Sequence, residues 1–365
     1  MTVIDASADT ARTTTTPGFH ALTVSRVDRL CDDAAAVTFA VPPELRDAYA
    51  FAPGQSIVLR REVDGTEHRR SYSICAPAGA DLRVGVREIP DGLFSSWLVR
   101  QVRPGDVVEV GPPTGSMQAD PTTSGRHLCI AAGSGITPML SIASSVLADP
   151  GSQVTLLYGN RTSGSVMFAE ELADLKNRAP ARFDLVHVLS REPRDTELFS
   201  GRLDADRLRR LLDLLVPLAD VDHVWLCGPL GLTTDARAVL TELGVPKDRI
   251  HLELFYVDEP PPEVRREDKV LEGEVSQVTV TLDGRTTVTP MPKGQSILDG
   301  ASAVRNDLPF ACKGGVCGTC RAHLVSGEAD MRRNYALDDD EVERGFVLTC
   351  QTWPVGDEVV VDFDA

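Results

Sequence analysis

Cys312-Lys-Gly-Gly-Val-Cys317-Gly-Thr-Cys320, with Cys350 much later in the chain, has the C-x₄-C-x₂-C…C spacing that holds a plant-type [2Fe–2S] cluster. Two irons need four thiolates, and a tight loop must bring three of them to one side. Gly314, Gly315 and Gly318 are expected to supply that loop, because backbone close to an inorganic cluster leaves no room for side chains. Structural zinc is the alternative, but it usually draws its ligands as two short C-x₂₋₄-C or His couples. The spacing points to Cys312, Cys317, Cys320 and Cys350 as metal ligands and to a chain that moves single electrons.

Around this loop, residues 274–365 read as a small α+β domain of the β-grasp kind. Val275–Leu282 alternates as a strand, Asp283-Gly284 is a hairpin turn, a second strand follows, and residues 296–304 form a short helix before the loop. This segment carries 15 acidic against 8 basic residues. Its acid run, Asp338-Asp339-Asp340-Glu341, reads as a solvated face, with docking of a partner as the alternative. Upstream lies Val257-Asp-Glu-Pro-Pro-Pro-Glu-Val-Arg-Arg-Glu-Asp-Lys269, charged and proline-rich, which marks residues 257–273 as a semi-extended linker.

Two textures precede the linker. Residues 123–256 alternate strands at 127–132, 153–158, 183–189, 223–227 and 250–254 with helices at 167–176, 204–215 and 233–243, which predicts a doubly wound parallel sheet. Residues 19–122 are a series of short alternating strands, among them Val37/Phe39/Val41 and Leu82/Val84/Val86, and predict a small antiparallel barrel. Residues 1–18 read as a disordered tail.

Composition bounds the function. A net charge of −17 and a pI near 4.8 argue against nucleic acid as partner. No apolar run approaches the roughly 18 residues of a membrane helix, and the N-terminus lacks a signal pattern. Cys31, Cys75, Cys129 and Cys227 read as buried thiols, which fits a reducing cytoplasm.

Ala131-Ala-Gly133-Ser-Gly135-Ile-Thr137-Pro138-Met139 closes the first parallel strand and opens a helix, with Thr137 as the expected N-cap. The glycines allow a pyrophosphate to approach the helix N-terminus, although many ordinary turns contain Gly-x-Gly. In the barrel, Arg70-Ser71-Tyr72-Ser73 lies on a strand. Arg70 can neutralise a diphosphate, Tyr72 can stack on a flat ring and Ser73 can hydrogen-bond a ring nitrogen. Gly92-Leu93-Phe94-Ser95 can offer backbone N–H groups to phosphate.

Together and in this order, these motifs resemble the ferredoxin–NADP reductase superfamily, as do Tyr158-Gly-Asn-Arg161, Ser190-Arg191 and Cys227-Gly228-Pro229. With the cluster domain on the C-terminal side, the chain resembles reductase components of bacterial oxygenases. It looks most like the reductase subunits of phenylacetyl-CoA epoxidase complexes, through Pro309-Phe-Ala-Cys312, Asn334-Tyr-Ala-Leu337 and Val347-Leu-Thr-Cys350-Gln-Thr352. Reductases of Rieske-type oxygenases, including steroid and aromatic-ring hydroxylases, are the rival, and a redox-sensing regulator is a second.

The resemblance implies electron flow from NADPH through FAD and the cluster to an oxygenase. It implies FAD contacts from Arg70, Ser71, Tyr72, Ser73, Arg87, Gly92, Leu93, Phe94, Ser95 and Thr137. It also implies nucleotide contacts from Gly133, Gly135, Arg161, Ser190, Arg191, Cys227, Gly228 and Pro229. Tyr72, Ser73, Cys227 and Glu253 would stand where nicotinamide meets flavin. A buried structural thiol and a surface carboxylate are the plain alternatives for Cys227 and Glu253. Arg191 matches the family's 2′-phosphate contact and favours NADPH over NADH.

Overall fold

Six antiparallel strands come first: β1 (His20–Cys31), β2 (Ala34–Ala40), β3 (Ser56–Val63), β4 (Thr66–Ser73), β5 (Arg83–Arg87) and β6 (Val107–Val110), with helix α1 (Ser95–Arg100) between β5 and β6. Their order in the sheet is β4-β3-β6-β1-β2-β5. The sheet curls until Ile74, just past β4, bridges Val84 of β5, which closes the barrel. Leu22, Val37, Phe39, Ile57, Leu59 and Val84 fill its interior. Asp64 and Gly65 both take positive φ in the β3–β4 hairpin, as a two-residue turn between twisted strands requires. The computed structural model describes residues 18–90, 92–255, 275–305 and 307–365. The expected tail, apart from Gly18, and the linker lie outside the described residues.

The second unit is a parallel sheet of β7 (Arg126–Ala132), β8 (Gln153–Asn160), β9 (Phe183–Leu189), β10 (His223–Gly228) and β11 (Ile250–Leu254). Helices α2 (Ile136–Val146) and α3 (Ala169–Arg178) cover one face, and α4 (Ala205–Leu215) and α5 (Leu230–Glu242) the other. The order β11-β10-β7-β8-β9 reverses direction between β10 and β7. In open α/β sheets, ligands bind beyond the carboxyl ends of the strands at such a switch point. Here those ends are Ala132-Gly133 and Cys227-Gly228.

The third unit pairs β12 (Val275–Leu282), β13 (Arg285–Pro292), β14 (Arg321–Met331), β15 (Phe346–Leu348) and β16 (Thr352–Asp362) in the order β13-β12-β16-β14-β15. Helix α6 (Ile297–Ser302) packs on this sheet, its N-cap Ser296 accepting from the Asp299 amide. The Asp283-Gly284 turn has positive φ at both residues, as the sequence requires. Helix α7 (Asp339–Glu343) explains half of the acid run: Asp338 and Glu341 cap each other reciprocally, and Glu341 also pairs with Arg321 at 3.0 Å.

Barrel and parallel sheet are joined by polar bridges. Arg83, on β5, donates to both carboxylate oxygens of Glu171 on α3 at 2.9 and 3.0 Å and to Asp28 at 3.2 Å. Arg87 donates to the Ser165 carbonyl and pairs with Asp33 at 3.3 Å. Gly85 lies between them, where a Cβ would meet Thr137 Cγ2 at 2.5 Å and Phe168 Cζ at 2.7 Å. Arg83 is largely buried and Glu171 half-buried, so removing one partner leaves the other charge poorly compensated. Arg83→Met is expected to cost about 1–3 kcal/mol, seen as a lower urea midpoint. Adding Glu171→Leu should recover part of that loss.

Candidate functional site

The end of β4 meets the carboxyl edge of the parallel sheet. Ser73 Oγ donates to Glu253 Oε2 at 2.8 Å, across the boundary between the two units. Glu253 is on β11, in register with Cys227 on β10. Burial pushes the Glu253 carboxyl up to about 7, against the pull of the Ser73 hydroxyl. Burial likewise pushes the Cys227 thiol well up, with the Glu253 charge adding to the effect. Ser73, Glu253 and Cys227 therefore meet on one seam, while Tyr72, the residue before Ser73 on β4, turns toward Phe94. A fully buried thiol held protonated there is a neutral wall and not a nucleophile.

Tyr72 faces the loop that opens α1: its ring lies 6.1 Å from that of Phe94, which in turn stands edge-on to Trp97 at 5.7 Å. Phe94 is buried and Leu93 exposed, so the Gly92–Ser95 turn rests on Phe94. Ser95 Oγ accepts from the Ile89 amide at 3.0 Å. A Cβ on Gly92 would come within 2.6 Å of Ser95 Oγ and 2.8 Å of the Ile89 carbonyl. Arg70 is exposed, and its only described bond is to the Arg69 carbonyl at 2.7 Å. Ser71 bonds Ser56 instead, at 3.1 Å. The Arg87 guanidinium serves the barrel–sheet bridge and borders Gly133, where a Cβ would meet it at 3.3 Å.

At the switch point, Gly135 packs against the end of β10 so closely that a Cβ would lie 2.1 Å from the Cys227 carbonyl oxygen and 2.9 Å from the Gly228 nitrogen. Tyr158 donates to the Gly133 carbonyl at 2.9 Å. Pro229 is the N-cap of α5. The expected N-cap role of Thr137 is not observed. A 3₁₀ turn over Gly133–Gly135 precedes α2, whose N-cap is Gly135, so Thr137 is already helical and donates to the Ser134 carbonyl at 2.9 Å.

Past the ends of β8 and β9 the chains stay paired: Ser190 N donates to the Asn160 carbonyl at 2.9 Å, and Arg191 N to that of Arg161 at 2.8 Å. The two arginines are thereby neighbours on the exposed rim. Beside them, both amide atoms of buried Asn160 lie without a hydrogen bond among the described residues.

In the third unit, Cys312 Sγ accepts from three amides: Gly314 at 3.3 Å, Val316 at 3.4 Å and Cys317 at 3.4 Å. The Cys317 thiol and these amides hold Cys312 well below the usual thiol range. Cys320 is pushed up by its neighbour Cys350. Cys312 thus stands beside Cys317, and Cys320 beside Cys350. Two pairs of thiols suit two irons. The loop is pinned from outside by Gln351 Nε2 to the Lys313 carbonyl at 2.8 Å and by Tyr335 N to that of Gly315 at 3.0 Å. Gly315 and Gly318 take positive φ, but the third left-handed position is Lys313 and not Gly314. Of the other cysteines, Cys75, Cys129 and Cys227 are buried, whereas Cys31 is only partly so and bonds Asp33 at 3.2 Å.

The sequence matches an oxidoreductase FAD-binding domain over residues 21–119, an oxidoreductase NAD-binding domain over 129–238 and a 2Fe-2S iron-sulfur cluster binding domain over 280–355. It is 44% identical over 352 residues to a subunit of the 1,2-phenylacetyl-CoA epoxidase of Escherichia coli strain K12, covering 95% of this chain and 98% of that one. It is 34% identical over 352 residues to the ferredoxin reductase component of 3-ketosteroid-9-alpha-monooxygenase of Rhodococcus rhodochrous, covering 94% and 96%. The fold also matches phthalate dioxygenase reductase with a TM-score of 0.58 at 23% identity, over 96% of this chain and 100% of that one.

A FAD-binding barrel, a nucleotide-binding sheet and a [2Fe–2S] domain in one chain define an NAD(P)H-dependent oxidoreductase, the electron-transfer component of an oxygenase system. The chain belongs to the family of oxygenase reductases that includes this phenylacetyl-CoA epoxidase subunit and the ketosteroid monooxygenase reductase. Its partner is therefore a protein. No helix among the described residues is long and apolar enough to cross a membrane.

Glu253 holds its proton more tightly folded than unfolded, so its contribution to stability is full below the ordinary value of 4.5 and is lost as pH rises to about 7. Subtracting the pH profile of the unfolding temperature of Glu253→Gln from that of the wild type should leave a decline confined to this window. A flat difference would mean that the carboxyl titrates normally.

Proposed function

We propose that this protein is the reductase of a phenylacetyl-CoA epoxidase, working in the cytoplasm and drawing electrons from NADPH. The observation that carries the reading is the 44% identity to the epoxidase subunit along 98% of that protein, cluster domain included. The four cysteines outside the cluster, Cys31, Cys75, Cys129 and Cys227, are unpaired thiols, which fits a reducing compartment.

When bound, flavin accepts a hydride as two electrons and the cluster carries them singly. The chain's task is placement. Arg70 and the amides of Gly92–Ser95 would neutralise the FAD diphosphate, and Tyr72 would lie against the flavin ring. Ser73 Oγ addresses a ring nitrogen. Because Ser73 also bonds Glu253, whose carboxyl burial pushes up to about 7, the pair would be able to hold or release a proton beside that nitrogen when flavin is bound. Gly133, Gly135, Gly228 and Pro229 leave the crevice open for the nucleotide, and Thr137 packs the helix beneath it. Cys227 gives the nicotinamide an uncharged wall. Arg161, Ser190 and Arg191 receive the 2′-phosphate. Cys312, Cys317, Cys320 and Cys350 hold the cluster.

A second reading, service to a steroid-ring hydroxylase, is favoured by the 34% identity to the ketosteroid reductase. Purified epoxidase and ketosteroid oxygenase components, each with its substrate, separate the two. Substrate-dependent NADPH oxidation is expected with the epoxidase, and coupling only to the steroid enzyme would overturn the first reading. Arg191→Ala should raise KM for NADPH about 10–100-fold, the loss of one charge-assisted contact, and leave KM for NADH unchanged.

A further inference from the structure

The cluster loop is held to the barrel by a column of alternating cations and rings. Arg60 on β3 lies 4.8 Å from the centre of the Phe19 ring. Arg69 on β4 lies 4.9 Å from that ring on one side and 4.1 Å from the Phe310 ring on the other. Lys313 Nζ lies 4.8 Å from Phe310. Phe310 precedes the ligand Cys312 by two residues, and Lys313 follows it directly. Cations over aromatic faces attract most strongly where water is excluded, and Arg69 is only 4% exposed.

Arg69 does more than stack. Its Nη1 donates to the Leu308 carbonyl at 3.2 Å, the one described hydrogen bond between barrel and cluster domain. Its Nε is held by Glu67 at 2.7 Å, and Glu67 also pairs with Arg60 at 3.2 Å, so the guanidinium is aimed before the loop arrives. At the far end, Lys313 is steadied by Asp299 at 2.8 Å. Successive residues of a strand point to opposite faces. Strand β4 therefore offers Arg70 and Tyr72 to one side and Arg69 to the other. Tyr72 is three residues from Arg69, about 10 Å along the strand.

We propose that Arg69 is a positioning residue for electron transfer within the chain: by gripping the Leu308 carbonyl and the Phe310 ring, it docks the cluster loop on the strand that carries the flavin. The inference rests on flavin lying against Tyr72. Two electrons enter with each hydride from the nicotinamide, which is oxidised. They leave one at a time, each reducing one ferric iron to ferrous before passing to the oxygenase. Docking by Arg69 governs this second stage and has no part in the first.

The test compares the wild type with Arg69→Ala and Phe310→Leu, each checked for full FAD and iron content. One readout is small-angle scattering of the oxidised protein, where either variant should show a larger radius of gyration as the domain comes off the barrel. The other is anaerobic stopped flow with NADPH. Flavin bleaching should keep its wild-type rate, while loss of the iron–sulfur bands should lag at least tenfold further behind it. Arg69→Lys, which keeps the charge but loses the planar fork, should fall between the two.

Wild-type transfer in a fully loaded variant overturns the proposal whatever the scattering shows. Slower transfer with unchanged scattering overturns it too, since Arg69 then acts by something other than docking. If NADPH fails to bleach the flavin of the wild type, it is the flavin-site reading that fails.

Discussion

A hydride passes only between rings in contact, so this protein depends on holding the end of β4 against the carboxyl edge of the parallel sheet. Ser73 and Glu253 mark the meeting point at 2.8 Å. The alignment is over-determined by features far from it: the Arg83–Glu171 fork, the Arg87 bridge to Ser165, and a glycine at 85 that lets Thr137 and Phe168 press into the barrel wall. The sheet contributes through its topology. Reversal of strand order between β10 and β7 opens the crevice, and Gly135 fits there because nothing larger can lie against the Cys227 carbonyl. A cavity of about 810 Å³ does open on this same boundary, but it is lined by Arg83, Glu171, Cys75 and Arg182 and includes neither Tyr72 nor Glu253. It is the back of the seam.

One kind of side chain serves several purposes through its surroundings. Burial raises the thiols of Cys129 and Cys227, with the Glu253 charge adding to it at Cys227, and keeps them inert. Cys312, with three amides aimed at its sulfur, is lowered instead, which suits a thiolate that must bind iron. Carboxylates diverge in the same way. Burial leaves Glu253 titrating near neutrality. Asp307, paired with Arg305 at 2.6 Å, is held below its ordinary value.

Much of this was legible in the sequence because it is local. The period-2 and strand–helix rhythms, the Asp-Gly turn, the short helix after Gln295 and the cysteine spacing all depend on neighbours within a few residues. What was not legible depends on the other side of a contact. Thr137 has the chemistry of an N-cap, but the preceding 3₁₀ turn starts the helix earlier. Gly314 looks as necessary as Gly315, yet Lys313 takes the left-handed position. Cys31 looks apolar by sequence, but Asp33 and Arg87 surround it. Arg87 is drawn into the barrel–sheet bridge by Ser165, 78 residues away in the chain. Nothing local separates Arg69 from Arg70; only strand alternation hints that the two face different partners, and Phe310 becomes visible as one of them only in three dimensions.

One chain here converts a two-electron donor into a one-electron source. Anaerobic titration of the purified protein with NADPH, followed by visible absorption, tests it most directly. Uptake of about three electrons is expected, two by flavin and one by the cluster, with both sets of bands bleaching. Bleaching of the flavin while the iron–sulfur bands persist would contradict it.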